Sequence, residues 1–112
     1  MFIEKEGKTN KKTMKRKNGN AVDVPMALLL REIALYARER GLMGIYCKEL
    51  GKRNDFLRAV LADNLRPTAD DVGILALDKV VKEMRGALAR EGAYKRLQRL
   101  EWLAEQVRRA LF

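Results

Sequence analysis

Leu42-Met43-Gly44-Ile45-Tyr46-Cys47-Lys48-Glu49-Leu50-Gly51-Lys52-Arg53-Asn54-Asp55-Phe56-Leu57-Arg58-Ala59-Val60-Leu61 is the stretch whose reading decides the fold. Two short apolar-periodic segments meet at Gly51. In the first, Ile45, Tyr46 and Leu50 share one helical face, and the small Cys47 stands where helices can approach closely. Gly51 can take the positive φ that a sharp turn between helices needs. Asn54 or Asp55 can cap the second segment, in which Phe56, Leu57, Val60 and Leu61 repeat at burial spacing. Arg53, Asn54 and Arg58 are left facing outward. This rhythm predicts a helix-turn-helix.

Downstream, Ala62-Asp63-Asn64-Leu65-Arg66-Pro67 reads as a loop. Pro67 cannot continue a helix, and Thr68 with Asp71 three residues on forms a variant capping box. A helix is therefore expected from Thr68 to about Met84, through Val72, Leu75, Leu77, Val80 and Val81, with Gly86 as its C-cap. Upstream, Asp23 and Pro25 mark the start of a helix ending at Gly41. Met26, Leu29, Leu30, Ile33 and Ala37 form its stripe, broadened by Leu28 and Leu35.

These spacings resemble the Xre/Cro family of lambda-repressor-like DNA-binding domains, and within it the antitoxins of addiction modules. The family has a small residue four positions before the turn glycine, as Cys47 is before Gly51. It has an apolar residue six positions after it, as Leu57 is, and a proline closing the following loop, as Pro67 does. Lys52 stands where the family usually buries Val or Leu, and Met43 where it often has glutamine. The resemblance covers about residues 24–85. It implies an all-α, lambda-repressor-like helix-turn-helix domain that binds double-stranded DNA as a transcriptional regulator. Lys52, Arg53, Asn54 and Arg58 would then face the major groove, where arginine can pair with guanine and asparagine with adenine, each good pair contributing about 1–3 kcal/mol of discrimination. Lys48, Asn64 and Arg66 would touch phosphates and fix register.

Charge agrees with such a partner. The 112-residue chain carries a net +9, unevenly distributed. Residues 1–20 hold seven Lys/Arg against two Glu, residues 86–112 six against three, and the body between them 11 against 10. Basic ends on a balanced body point to nucleic acid. The first segment, with Lys15, Arg16 and Lys17 at its densest, lacks a recurring apolar residue and reads as a disordered arm that lies along phosphates or as a solvated tail. It has no apolar core of a signal peptide, and nowhere do about 18 apolar residues run together, so a cytoplasmic protein that spans no membrane is expected. The amphipathic C-terminal segment could instead lie on an anionic lipid surface, a weaker reading.

At 47% hydrophobic, 6% aromatic and 35% charged, one helical domain with appendages is expected. The chain has no histidine, which excludes a His-based metal site or triad, and one cysteine, which fits a reducing compartment. Adjacent Asp70 and Asp71 read as a helix start. No constellation argues for catalysis, so neither enzyme activity nor a cofactor is expected.

The last segment, 86–112, lies beyond the resemblance. Ala93, Leu97, Leu100, Ala104, Val107 and Leu111 recur at spacings of four and three, with Trp102, Leu103 and Phe112 beside them. Such a face must be buried, in the same chain or against another. Leu97, Leu100, Leu103, Ala104, Val107 and Leu111 are expected to join a homodimer, because two copies read two half-sites. Two rival functions remain: a protein-interaction module, antitoxin or phage-type inhibitor, on the same scaffold, and RNA binding through the basic tail, for which stacking aromatics are few.

Overall fold

The computed structural model describes residues 19–111, with side chains from Val22 onward. Lys15, Arg16, Lys17 and residues 1–18 of the disordered arm expected over 1–20 lie outside the described residues, while Gly19 and Asn20, the last two of that stretch, are helical. Five helices follow one another: α1 Gly19–Arg40, α2 Met43–Glu49, α3 Phe56–Leu61, α4 Ile74–Glu91 and α5 Tyr94–Leu111. There is no strand among the described residues. None of their helices is long and apolar enough to cross a membrane.

One hydrophobic core draws on all five helices. Met26, Leu29, Leu30 and Ile33 of α1 lie at its centre, fully buried, with Leu57 of α3, Met84 and Leu88 of α4, and Leu100 and Leu103 of α5. α1 is thus the axis against which α3 and α5 pack, and α4 leans on α5. Tyr36 and Tyr46 stack with ring centroids 6.2 Å apart and join α1 to α2. Burial pushes the Tyr46 phenol up to about 12, with the neighbouring Tyr36 adding to the shift.

Four of the five helices end in one device. At the end of α2, Lys52 N–H donates to Cys47 C=O at 2.9 Å and Gly51 N–H to Lys48 C=O at 3.0 Å, with Gly51 at φ 72°. This is a Schellman ending, which satisfies carbonyls the helix would leave orphaned. The same pair of bonds closes α1 around Gly41 and α4 around Gly92. At α3 an aspartate fills the left-handed position: Asp63 sits at φ 60°, Asn64 N–H reaches Ala59 C=O at 3.0 Å, and Asp63 N–H reaches Val60 C=O at 3.2 Å. Left-handed backbone costs a side-chain-bearing residue about 1–2 kcal/mol, and short polar side chains tolerate it best.

Several expectations shift. α1 starts at Gly19 rather than Asp23, and Pro25 lies inside it. Asp23 does not cap the helix; its carboxylate accepts the Ala69 N–H at 3.3 Å and ties the 62–73 loop to α1. Thr68 and Asp71 do bond as a capping box would, Thr68 N–H donating to Asp71 Oδ2 at 2.7 Å, but they close an isolated turn. The helix begins later, after Gly73, whose extended backbone (ψ 141°) serves as N-cap. Gly86 lies inside α4, and Gly92 takes the C-cap at φ 73°.

α5 folds back on its own chain. Leu100, Leu103, Ala104 and Val107 are buried, and Leu97 and Leu111 pack at the core's edge. While α5 is docked, these six residues are covered from within the chain.

Charge fixes that docking. Glu32, a buried carboxylate of α1, accepts from Arg99 Nε at 3.1 Å and lies 3.7 Å from Arg96 Nε. Arg96 also donates to Glu39 at 2.6 Å. Arg40 bonds both oxygens of Glu91. The guanidinium carbons of Arg40 and Arg96 lie 5.0 and 5.8 Å from the Tyr36 ring centroid. Arg85 reaches Glu101 at 3.3 Å between α4 and α5. Arg96 holds the Glu39 carboxyl below its usual range, and Arg40 does the same for Glu91.

Candidate nucleic-acid interface

The α2–α3 unit is small: seven residues of helix, a six-residue connection and six residues of helix. Helices this short do not persist alone, so packing must place them. Tyr46, Cys47 and Leu50 bury the inner face of α2, and Phe56, Leu57 and Val60 that of α3. Cys47 is fully buried, and its thiol donates to Asn54 C=O at 3.5 Å, linking α2 to the residues that lead into α3. Asp55 occupies the N-cap position of α3 without a side-chain capping bond. Its carboxylate lies 3.9 Å from Arg53 Nε instead, so neither expected capping side chain closes the helix.

The outer surface of this unit holds most of the expected contacts. Lys48, Lys52, Arg53 and Asn54 line one shallow depression with Gly44 and Ile45. Arg53 is 91% exposed at its side chain. Lys52 is half-buried, its ammonium 5.3 Å from the Phe56 ring centroid, so that the aliphatic stem shields the ring while the charge stays at the rim. Arg58 is exposed on α3. Ile45 was expected in the core with Tyr46 and Leu50, yet it is 54% exposed and forms the apolar floor of the depression. The physical reason is length. Seven residues bury one narrow face, and Tyr46, Cys47 and Leu50 fill it.

Arg66 stands apart. It lines a different groove, between α1 and the loop after α3, beside Asp23, Arg31 and Asp63. Asn64 is exposed in the turn that closes α3. The structure therefore gathers Lys48, Lys52, Arg53 and Asn54 into one place and sets Arg66 in another.

Among the described residues, Lys48, Lys52, Arg58 and Arg66 have no carboxylate within salt-bridge distance, and Arg53 has only Asp55, at the 3.9 Å margin. Other unpaired cations occur on α1, α4 and α5 (Arg38, Lys79, Arg90 and Lys95), none of them lining the depression. The neighbouring carboxylate on α2, Glu49, faces away from that balance. Burial, then the charge of Glu83 on α4, pushes its carboxyl up.

Sequence reasoning missed Ile45 as a surface residue and missed an apolar outer face on α1. Val24 and Leu28 are 60% and 40% exposed there, and Trp102 of α5 is 58% exposed beside them. Leu28 and Trp102 had stood out as residues that made their helices' apolar faces too wide, which was the available signal.

No family model matches the chain, and no curated protein or solved structure matches it either.

Proposed function

We propose that this chain binds double-stranded DNA through α2 and α3, as a small transcriptional regulator of the Xre/Cro helix-turn-helix type. The observation that carries the reading is the gathering of Lys48, Lys52, Arg53 and Asn54 around one depression, with few internal counter-ions. On α5, by contrast, Arg96, Arg99, Arg108 and Arg109 are each tied to a glutamate. Exposed cations with few counter-ions favour a polyanion, because each phosphate neutralised releases condensed counter-ions. Arg53, Asn54 and Arg58 would address base edges; Lys48, Asn64 and Arg66 would hold phosphates. The basic stretch around Lys15, Arg16 and Lys17 would add affinity without sequence preference. Paired copies of the chain would engage two half-sites.

The test is binding to duplex DNA selected from a random pool, followed by Arg53→Ala and Arg58→Ala. Each should weaken the selected site by about 1–3 kcal/mol and relax the preference at one position. Unchanged affinity and preference in both variants would remove α3 from the interface.

A second reading, a protein-interaction module such as an antitoxin or inhibitor, is favoured by the exposed Val24, Leu28 and Trp102. A partner retained after nuclease treatment supports it, and one lost with nuclease counts against it.

A further inference from the structure

Two neighbouring residues of α2 are not explained by the fold. Gly44 is helical, its φ is not positive, and a Cβ built on it would meet no neighbouring atom within 4 Å. Neither turn geometry nor packing therefore requires glycine there, although a helical glycine weakens a helix relative to alanine. Ile45 beside it is 54% exposed and belongs neither to the core nor to the residues packed against its edge. A lone apolar side chain on a surface is ordinary. Position sets this pair apart. Both line the depression with Lys48, Lys52, Arg53 and Asn54, and none of the other exposed large apolar side chains among the described residues does.

Cations suit phosphates, and an arginine and an amide suit base edges. An isoleucine suits neither, because its side chain makes no hydrogen bond and gains only by leaving water. The major-groove edges of duplex DNA carry one apolar group, the C5 methyl of thymine. For an apolar side chain that lines the same depression as Arg53 and Asn54, that methyl is the matching contact. A glycine in the adjoining position serves the same contact, since close approach of another molecule is a use for glycine that needs no obstacle inside the fold.

We infer, resting on the DNA binding proposed above, that Ile45 reads the C5 methyl of a thymine in the major groove, and that Gly44 gives the clearance through which the base edge reaches it. Ile45 is then a specificity residue on α2, in addition to the base contacts assigned to Arg53, Asn54 and Arg58. The contact takes no charge and displaces no counter-ion. It therefore changes sequence preference and leaves the dependence on salt as it was.

In a duplex, deoxyuridine differs from thymidine by that methyl alone. Each thymine of the duplex selected from the random pool is replaced in turn, and affinity is measured for the full chain, Ile45→Ala and Gly44→Ala. Both positions are exposed, so both variants should keep the helical circular dichroism of the parent. For the parent, loss of the methyl at one thymine should weaken binding about fourfold, the effect of one buried methyl-sized group. Ile45→Ala should bind thymine and uracil alike at that position, with the parent's salt slope. Gly44→Ala should melt at a higher temperature than the parent and yet bind the selected duplex more weakly, opposite signs that a merely structural role does not produce. A parent indifferent to uracil at every thymine, or a selected site without thymine, overturns the inference while the DNA reading stands. So does a sensitivity that Ile45→Ala retains in full, since another residue then meets the methyl. Gly44→Ala binding as tightly as the parent overturns the clearance role. A parent that binds no duplex at all removes the DNA reading itself, and this inference with it, and leaves the depression to an acidic peptide.

Discussion

Arg96 and Arg99 on α5 reach Glu32 across the seam with α1, whereas Lys48, Arg58 and Arg66 reach no carboxylate among the described residues. The contrast is between two uses of a cation. At the seam, each arginine meets an acid fixed on a long, well-packed helix, and the pair sets the angle at which α5 docks. On α2 and α3, two short helices hold cations outward over a small buried face. The lesson is that net charge does not locate a binding surface. Residues 86–112 carry an excess of positive charge, yet Arg96, Arg99, Arg108 and Arg109 all have glutamates beside them. The nearly neutral body carries the unpaired cluster.

The sharpest way to break the comparison is to attack the seam's core. Leu100→Ala or Leu103→Ala removes a fully buried side chain of α5 and should cost about 2–5 kcal/mol in urea unfolding. Leu75→Ala, at 83% exposure, should change stability by less than about 0.5 kcal/mol. If the α5 substitutions were equally silent, α5 would not belong to the core. Next in size is Glu32→Ala. It strips a buried partner from two arginines and should cost about 1–3 kcal/mol, while Glu105→Ala, whose partners Arg108 and Arg109 are exposed, should leave the unfolding midpoint nearly unchanged in the same assay.

Smaller effects come from backbone and pH. Gly86→Ala should stabilise by about 0.5–1 kcal/mol, since Gly86 is helical and its nearest obstacle is the flexible tip of Arg90 at 3.3 Å. Thermal unfolding measures it. The two regions should also differ in acid. Glu39, Glu91 and Glu105 titrate below their ordinary value of 4.5, so their pairs stabilise the fold above that value and are lost as pH falls through the lowered ones. Glu49 is displaced upward, so its carboxyl favours the fold when protonated and opposes it once pH rises past its raised value. Glu49→Gln should therefore raise the melting temperature at neutral pH and lose that advantage in acid well below 4.5. A uniform gain at both would assign the effect to something other than charge.

Much of this was legible in the sequence where a single residue type carries a single geometry. Gly41 and Gly51 announced the ends of α1 and α2 because positive φ favours glycine. Asp63 plays the same part at α3 and gave no such sign, since an aspartate in a loop has many other roles. Thr68 and Asp71 form the bonds their spacing implies, but a local capping pair does not require a helix to follow. Gly73, two residues beyond, postponed it. Gly86 looked like a terminator because composition cannot tell a helical glycine from a left-handed one. The heptad spacing of α5 correctly marked which face is buried. It could not say against what, because that depended on Glu32 and Glu39 lying opposite Arg96 and Arg99, a juxtaposition that exists only once α1 and α5 are packed. The depression cluster was readable because Lys48 and Lys52-Arg53-Asn54 are close in the chain. Arg66 was not, since the loop carries it to another groove.

The measurement that tests the account most directly is the salt dependence of binding to mixed-sequence duplex DNA for three proteins: the parent, Lys48→Ala/Arg66→Ala, and Arg108→Ala/Arg109→Ala. Both variants lose two positive charges, so net charge alone predicts equal losses. The account predicts that the Lys48/Arg66 variant binds more weakly and that its log–log slope flattens by about two, near one for each phosphate-holding cation removed, while the α5 variant keeps the parent's slope. Equal slopes in the two variants, or no binding by the parent at low salt, would contradict it.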